Sequence, residues 1–532
     1  MTRFHSLKLA VVVGAALLPV LPFASALPSN APAVKRAANR QYATQSHRAR
    51  AVVDTFRLSW DGYYQYAFPN DELLPVTNGF GNSRNGWGAS AVDALSTALV
   101  MGEKEIVNQI ISHIPSINWS NTSMHVSLFE TTIRYLGGML SGYDLLSGPL
   151  ADLADSKDNV AALLAQSIHL ANNLSYAFET PTGIPWNNLV LSNRSNDGSN
   201  NGLATVGTLI LEWTRLADLS GNTSYAALVS QAESHLLDPQ PKSAEPFPGL
   251  LGMGIDPTTG LFQDAVGGWI GGADSYYEYL IKMYVYDAAR YAHLRDAWIV
   301  AADSTMRFLA SHPAAAAAAH HPDLSFVATF NGTTTRNNSQ HLACFDGGNF
   351  VLAGQVLAEQ RYTDFGLQLV HGCHATYIST ATRIGPEQFA WQHNATVPAN
   401  QSAYFNQTGT YITDPSYNLR PEVMESFYYA YRATNDTKYQ DWAWDAFVAI
   451  NATTHVGSGY SSIKDVNVVG GGGFTNFQES FWFAEVLKYS YLIQTDGNEP
   501  WQVGAGGKDE WVFNTEAHPV RVAGSGGRNS PA

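Results

Sequence analysis

Apolar residues recur every three or four positions along most of this sequence, which is the spacing of amphipathic α-helices. In the first such segment Val53, Phe56 and Trp60 fall on one helical face. Short polar turns separate each apolar segment from the next. The spacing predicts helices over about 53–67, 90–113, 128–147, 203–218, 224–236, 275–293, 294–311, 348–360, 365–382, 421–433, 437–451 and 478–494.

The turns repeat one pattern, in which an apolar helix ends in small polar residues and a tyrosine lies near the start of the next helix. Residues 216–222 lead in this way to Tyr225, and residues 432–436 lead to Tyr439. Two helices joined by so short a turn form a hairpin, which buries its apolar face only against its neighbours. The pattern predicts an all-α domain of serial helical hairpins, and either a closed ring or an open solenoid satisfies it.

The two ends of the chain differ in composition from this helical part. Residues 1–26 combine a basic start, an apolar run and a small-residue cleavage site, so they predict a secretory signal peptide. In residues 27–36 the closing Lys35-Arg36 pair is either a propeptide processing site or part of a short flexible leader. We expect one folded domain over 37–522 and a flexible Gly/Ser/Pro-rich tail over 523–532.

The charge balance limits the partners of this chain. Its formal net charge is -15, which argues against nucleic acid or an anionic membrane surface as partner. After removal of the signal peptide, no segment is long and apolar enough to serve as a membrane anchor. About a dozen Asn-x-Ser/Thr sequons, Asn118 and Asn451 among them, suit a glycoprotein. We expect a monomer that is secreted or held in the lumen of secretory vesicles.

The chain has two cysteines, Cys344 and Cys373. In an oxidising compartment an isolated pair is best explained as one structural disulfide. A catalytic thiol or a metal site is disfavoured, because no further cysteine or histidine cluster accompanies the pair.

Several acidic residues lie at the starts of apolar helices, where each has a structural and a catalytic explanation. Glu130 shares a helix face with Arg134, so it is either an ion-pair partner or an acid of a buried site. Asp274 follows a glycine-rich turn, and a role as N-cap of the next helix is sufficient to explain it. Glu422 and Glu425 share the first turn of a helix, where they compensate the helix dipole or line a site. Two carboxyl groups on opposite faces of a sugar are what glycosidic hydrolysis needs.

The order and spacing of these segments resemble the class I α-mannosidases, glycoside hydrolase family 47, of the fungal secreted type. The resemblance runs from Trp60 to His518. Each matching segment alone is weak evidence for the family, but their joint order and spacing are specific to it. They are residues 71–75, 86–88, 92–95, 129–138, 274–280, 341–344, 420–426 and 513–518.

The resemblance implies an (αα)7 barrel of helical hairpins, plugged at one end by a small C-terminal β-hairpin. It also implies Ca²⁺-dependent, inverting removal of terminal α-1,2-linked mannose from high-mannose N-glycans. By this resemblance Glu130 is the candidate general acid, acting through a water, and Asp274 is the rival acid or its assistant. Glu422 is the candidate general base, and inversion places acid and base about 6.5–9.5 Å apart.

The resemblance further implies a calcium site and a set of substrate contacts. Thr515 matches the only direct protein ligand of the calcium ion, and water and sugar hydroxyls complete an oxygen shell of the kind Ca²⁺ prefers. Phe481 is the expected stacking platform, and Cys344–Cys373 matches the disulfide of the family. The residues that match substrate-binding positions or hold the waters of the ion are Arg134, His341, Arg420, Glu425, Phe481, Glu485 and Glu516.

Three positions depart from the family pattern. Gly272 stands where the endoplasmic-reticulum members that remove a single mannose resemble one another in carrying Arg. Because glycine leaves room there, we expect broader trimming, through to a five-mannose product. Ser96 replaces an Asp and Thr205 replaces a Glu of many members, and we expect either change to affect branch preference rather than the core chemistry.

Two other functions compete with this interpretation. One is a mannose-recognising quality-control member with little turnover, and the other is a retaining glycosidase on a related αα-barrel. All three candidate carboxylates and the threonine are present, which favours an enzyme over a recognition protein.

Overall fold

Helices and their hairpin contacts dominate the computed structural model, which describes residues 42–313, 324–391, 397–504 and 509–524. The predicted signal peptide and propeptide lie outside the described residues, and so do residues 525–532 of the predicted tail. All the described residues belong to one compact unit.

An inner ring of seven helices forms the core of the described part of the chain. Each inner helix packs against the next one along the chain, and the last packs against the first. Their burial is nearly complete; in Ala89–Met101, for example, every residue is buried. The inner helices are Ala89–Met101, 128–146, Ile210–Ser220, Asp274–Tyr286, Phe345–Leu357, Glu422–Thr434 and 482–492.

A second set of seven helices, counted over the same described residues, covers the inner ring. Each outer helix buries one face against its inner partner and exposes the other, as an amphipathic sequence requires. Six outer helices follow their inner partners directly, whereas the first helix of the chain packs against the last one, 482–492. The outer helices are Ser46–Tyr66, Lys104–His113, Lys157–Leu174, Ser224–Leu237, Ala292–Ser304, Gln360–Ile378 and Lys438–Thr454.

This arrangement confirms the predicted all-α barrel of seven hairpins. Because the last inner helix packs against the first, the ring is closed and is not an open solenoid. Three predicted details are wrong. The helix predicted over 90–113 is two helices, because Gly102 ends the first with a left-handed φ of 75°. The helix predicted over 203–218 is broken into Leu203–Gly207 and Ile210–Ser220. The helix Lys157–Leu174 is missing from the prediction, although Ser156 is a residue typical of a helix N-cap. Its hydroxyl accepts a hydrogen bond from the Asn159 N–H.

The strands are short and antiparallel, and most lie in the loops between helices. The last pair, Trp511–Phe513 and Pro519–Arg521, forms a hairpin in which Val512 lies opposite Val520. Both of its strands contact inner helices, so this hairpin fills the interior of the ring. The other strands are Glu72–Leu74, Gly79–Gly81, Val126–Ser127, Asn188–Val190, Ser195–Asn196, Asn201–Gly202, Gly254–Ile255, Val266–Gly267, Ala310–Ser311, Phe326–Val327, Thr329–Asn331, Thr334–Arg336, Asn338–Gln340, Gln388–Trp391, Thr410–Asp414, His455–Val456 and Gly459–Tyr460.

The predicted disulfide is confirmed. Cys344 and Cys373 are bonded with their Cα atoms 5.9 Å apart, which joins the start of an inner helix to its outer partner. None of the described helices combines the length and the apolar character that a membrane crossing requires.

Candidate active site

A cavity of about 380 Å³ lies where the first turns of several inner helices meet the turn of the C-terminal hairpin. This volume is in the range of small-molecule binding sites. Because helix N-termini carry partial positive charge, the first turns favour carboxylates at this end of the ring. The predicted site residues that line the cavity are Glu130, Arg134, Asp274, Arg420, Glu422, Glu425, Phe481, Glu485, Thr515 and Glu516.

Glu422 is held as an ionised carboxylate. Burial opposes its ionisation, but the hydrogen bond to His341 and the charge of Arg420 keep the pKa of Glu422 below its usual value. His341 Nδ1 lies 2.7 Å from Glu422 Oε2, and His341 Nε2 lies 2.7 Å from the Tyr377 hydroxyl. His341 is fully buried and lies behind Glu422 rather than in the cavity wall, and its predicted contact with substrate stays a prediction.

The pKa of Asp274 is shifted in the opposite direction. Burial raises its pKa to about 7, and the nearby charges of Glu278 and Glu422 add to the effect. The Ser275 N–H donates to Asp274 Oδ1 over 2.7 Å, which offsets part of this rise. The helix begins at Asp274 itself, with Ala273 at the N-cap position, so the prediction that Asp274 is the N-cap is wrong. Asp274 carries a transferable proton near neutral pH.

Glu130 lies against two guanidinium groups. Arg134 Nε donates to Glu130 Oε2 over 2.8 Å, and Arg84 Nε lies 3.4 Å from the same oxygen. Burial opposes ionisation, yet Arg134 and Arg84 keep the pKa of Glu130 below its usual value. The segment Thr131–Leu136 that follows Glu130 is a π-helical turn, a feature frequent at functional sites.

The turn of the C-terminal hairpin forms the floor of the cavity. The Thr515 N–H donates to the Tyr279 hydroxyl, and the Asn514 side chain donates to Glu212 Oε1 over 2.8 Å. Among the described residues, no group of three His, Cys, Asp or Glu side chains has the arrangement of a direct metal site.

The carboxylates around Thr515 fit a divalent cation held through water. Burial raises the pKa values of Glu425, Glu485 and Glu516, in the case of Glu425 to about 8, and the negative charges of other acids near each of them raise these pKa values further. A bound cation would offset this crowding of buried acids. The oxygens of Thr515 together with carboxylate-bound waters make a donor set of the kind Ca²⁺ prefers.

The sequence matches the family model described as glycosyl hydrolase family 47 over residues 55–522. The chain belongs to glycosyl hydrolase family 47. A relative named "Probable mannosyl-oligosaccharide alpha-1,2-mannosidase 1B", from Aspergillus clavatus, is 55% identical over 95% of this chain and 99% of its own length. A mannosyl-oligosaccharide alpha-1,2-mannosidase from Coccidioides posadasii is 56% identical over 91% of this chain and 92% of its own length.

A solved structure has the same fold. The α-1,2-mannosidase from Trichoderma reesei superposes with a TM-score of 0.87 at 48% sequence identity, covering 90% of this chain and all of that one. This family 47 enzyme is therefore similar to fungal relatives in both sequence and fold over nearly the whole of its described length.

Arginines flank the aromatic platform of this family 47 site. The Cζ atoms of Arg134 and Arg420 lie 5.6 and 5.8 Å from the centroid of the Phe481 ring. Arg420 is itself fixed, because its Nε donates to Glu387 Oε2 over 2.8 Å. The platform predicted from the sequence therefore lies in the cavity wall, and the two guanidiniums restrict the position of its ring.

Sequence reasoning missed several residues of the site. Glu278 lines the cavity, and the buried Lys282 forms an ion pair with it one helical turn further on. A signal was present, since Asp274, Glu278 and Lys282 are spaced by four residues on one helix face. Arg84 carried no comparable signal, because it lies in a loop far from Glu130 in the sequence.

The positions that depart from the family pattern do not all face the cavity. Gly272 and Thr205 belong to its wall. Ser96 is fully buried elsewhere, where its hydroxyl lies 2.8 Å from His518 Nδ1 and accepts a hydrogen bond from Lys488. An effect of Ser96 on branch preference stays a prediction, and it would have to act through these buried neighbours rather than through the cavity wall.

Proposed function

We propose that this enzyme hydrolyses terminal α-1,2-linked mannose from high-mannose N-glycans, with inversion of configuration and with Ca²⁺ bound at Thr515. Its relatives are named mannosyl-oligosaccharide α-1,2-mannosidases or α-1,2-mannosidase, which supports the linkage and the substrate class. The observation that carries the chemistry is that two carboxyl groups, Asp274 and Glu422, line one cavity and have pKa values shifted in opposite directions by their surroundings. Groups whose pKa values are pushed apart in this way suit an acid and a base.

In the proposed reaction the ionised Glu422 takes a proton from a water that attacks the anomeric carbon. Asp274 donates its proton to the glycosidic oxygen as the carbon–oxygen bond breaks. Attack from the face opposite the leaving group inverts the configuration. His341 holds the Glu422 carboxylate in place through its 2.7 Å contact.

Glu130 takes a different part in this scheme. Because two arginines favour its ionised form, we assign the transferred proton to Asp274. Glu130 then orients a water beside the leaving oxygen. The family resemblance gives Glu130 as the candidate acid and Asp274 as its rival or assistant. The two arginines beside Glu130 are the reason why we assign the acid role to Asp274.

The residues around Thr515 would hold the calcium ion and its waters. When bound, Ca²⁺ would supply a site for hydroxyls of the terminal mannose. Glu425, Glu485 and Glu516 would accept hydrogen bonds from the waters of the ion, since all three line the same cavity. Phe481 would stack against the sugar, and Gly272 leaves the room that supports trimming to a five-mannose product.

The test is hydrolysis of α-1,2-mannobiose followed by NMR of the first-formed anomer. We expect β-mannose first, and a loss of mannose release on addition of EDTA. First formation of α-mannose would indicate a retaining enzyme. Binding of the sugar without release of mannose would indicate a recognition protein. The Glu422→Gln variant is expected to keep its fold and calcium binding but to lose at least 100-fold in kcat, as for removal of a general base.

A further inference from the structure

The loop before the first inner helix is folded around one carboxylate. Asp71 is fully buried, and its oxygens accept hydrogen bonds from the backbone N–H groups of four loop residues and of the first residue of the helix. Asn85, Gly86 and Gly88 adopt positive φ angles of 80°, 76° and 78°, which turn these N–H groups inward. The five donors are Arg84, Gly86, Trp87, Gly88 and Ala89.

The same loop is tied to the helix that carries Glu130. The Tyr135 hydroxyl lies within hydrogen-bond distance of both Asp71 Oδ1 and the Arg84 carbonyl oxygen. Tyr135 follows Glu130 by five residues, so it fixes the loop against the first turns of that helix. The backbone of Arg84 is therefore held on both sides, by Asp71 and by Tyr135.

The Arg84 side chain points from this fixed backbone to Glu130. Its Nε lies 3.4 Å from Glu130 Oε2, and Nε is buried without a hydrogen bond to any described residue. Arg134 donates hydrogen bonds to several acceptors. Its Nε donates to Glu130, and its Nη1 donates to Glu516 and Ser480. Arg84 is the second cation at Glu130, the acid with which it forms its ion pair, and its charge also acts at longer range on Glu479 and Glu516.

We propose that Arg84 is a positioning residue of this enzyme, which keeps Glu130 ionised and fixes its carboxylate while the proton comes from Asp274. The inference rests on the proposed function. It assigns the Asp71 loop a role at the active site rather than a purely structural one.

The charged groups that face Glu130 come from several elements. Arg134 lies on its own helix, and Arg84 comes from the loop. The acids that oppose these cations are Asp93 on the first inner helix, Glu479 before the last inner helix and Glu516 on the hairpin. Because the acids outnumber the cations, loss of Arg84 leaves Glu130 easier to protonate.

The experiment compares Arg84→Met, Arg84→Lys and the wild type over pH 3.5–8 on α-1,2-mannobiose. We expect Arg84→Met to move the acid limb of kcat/KM up by about one pH unit, because one close cation is worth about 1–3 units of pKa. The alkaline limb should stay in place. Arg84→Lys should restore most of the wild-type profile. The control Arg57→Met removes a similar guanidinium–carboxylate pair on the outer surface, with Glu103, and should change nothing.

A second measurement does not depend on turnover. Glu130 stabilises the fold when ionised, so this contribution is present above its unfolded pKa and is lost as pH falls through the folded value. The Tm difference between wild type and Arg84→Met should therefore shrink as pH falls below about 4. An unchanged acid limb in Arg84→Met, or an equal loss of rate at every pH together with a pH-independent loss in Tm, would overturn the role of Arg84. An inactive wild type with the expected Tm pattern would instead reject the proposed function.

Discussion

Asp274 and Glu422 line the same cavity, yet their pKa values are shifted in opposite directions because their partners differ. Asp274 accepts from Ser275 on its own helix and has acids for neighbours, whereas Glu422 has a histidine and an arginine. The sequence places both residues at helix starts, which is as far as local patterns reach. Some partners are local, but His341 lies far from Glu422 in the sequence, and so does Glu422 from Asp274, so these effects on each pKa follow only from the fold.

The pH dependence of kcat/KM should report this difference. Asp274 must be protonated to act as the acid, so the rate should fall as pH rises through its pKa of about 7. Glu278→Gln removes a nearby negative charge, so the pKa of Asp274 should fall and the alkaline limb should move to lower pH. Steady-state kinetics over pH 4–9 would measure both. A rate that stays constant to pH 9 would contradict the assignment of Asp274 as the acid.

Gly272 offers a prediction about product length. A Cβ at this position would meet Met253 Sδ at 3.5 Å, an ordinary contact, so a side chain has room to enter the cavity. Gly272→Arg should therefore make trimming of a nine-mannose glycan stop after fewer mannoses, as measured by chromatography of the released oligosaccharides.

The matched control is Gly272→Ala, because the φ of 94° imposes the same backbone strain on both variants. Alanine has no reach into the cavity, so it should leave the product series unchanged while it lowers stability by about 1 kcal/mol. If both variants gave the same products, the width of the cavity at Gly272 would not control trimming.

The helices themselves illustrate what periodicity predicts and where it stops. It predicts most helices because burial of one face determines their composition, as in the hairpin of Ile210–Ser220 with Ser224–Leu237. It does not locate the break at Gly102, because apolar residues continue at helical spacing from one helix into the next. It also cannot say which helix faces inward, since that depends on packing between segments far apart in the chain.

One outer helix carries a buried acid with no role in the proposed chemistry. Glu233 lies 3% exposed on Ser224–Leu237, and its Oε2 makes no hydrogen bond to a described residue. Burial raises its pKa to about 8, so the folded state holds a proton that the unfolded state releases above pH 4.5. Stability should therefore fall as pH rises from about 4.5 to 8 through this group.

Glu233→Gln removes this penalty, because the side chain no longer has a proton to lose. We expect the variant to gain about 1–2 kcal/mol in unfolding free energy at pH 8 and little at pH 4.5. Denaturant unfolding at the two pH values measures the difference. Glu105→Gln, at an exposed position on another outer helix, is the control and should show no pH-dependent gain. An equal effect of the two variants would contradict the burial argument.

The cavity as a whole is assembled from distant parts of the ring. Its wall combines the starts of inner helices from both halves of the chain with the turn that holds Thr515 near the C-terminus. No local pattern brings residues 130, 274, 422 and 515 together, and their assignment to one site came from resemblance to a family. The structure places all four in one wall, while the roles of Arg84 and Glu278 follow from contacts that the sequence did not indicate.

Calcium should act on the whole molecule, because its proposed site joins the hairpin to several inner helices. An ion that binds only the folded state stabilises it by an amount that grows with its concentration, about 2.7 kcal/mol at 100 times Kd. EDTA should therefore lower Tm and abolish mannose release together, and added Ca²⁺ should restore both. Mg²⁺ should restore less, since it needs a smaller and stricter octahedral shell.

Thr515→Ala separates this effect from a general loss of packing. The hydroxyl of Thr515 makes no hydrogen bond to another described residue, so its removal should leave the Tm in EDTA nearly unchanged. The Ca²⁺-induced rise in Tm should become smaller and require more Ca²⁺, because one ligand oxygen is lost. A wild type whose Tm and activity are the same in EDTA and in Ca²⁺ would refute calcium dependence. If the Thr515→Ala variant kept the wild-type Ca²⁺ response, the ion would not bind at this turn.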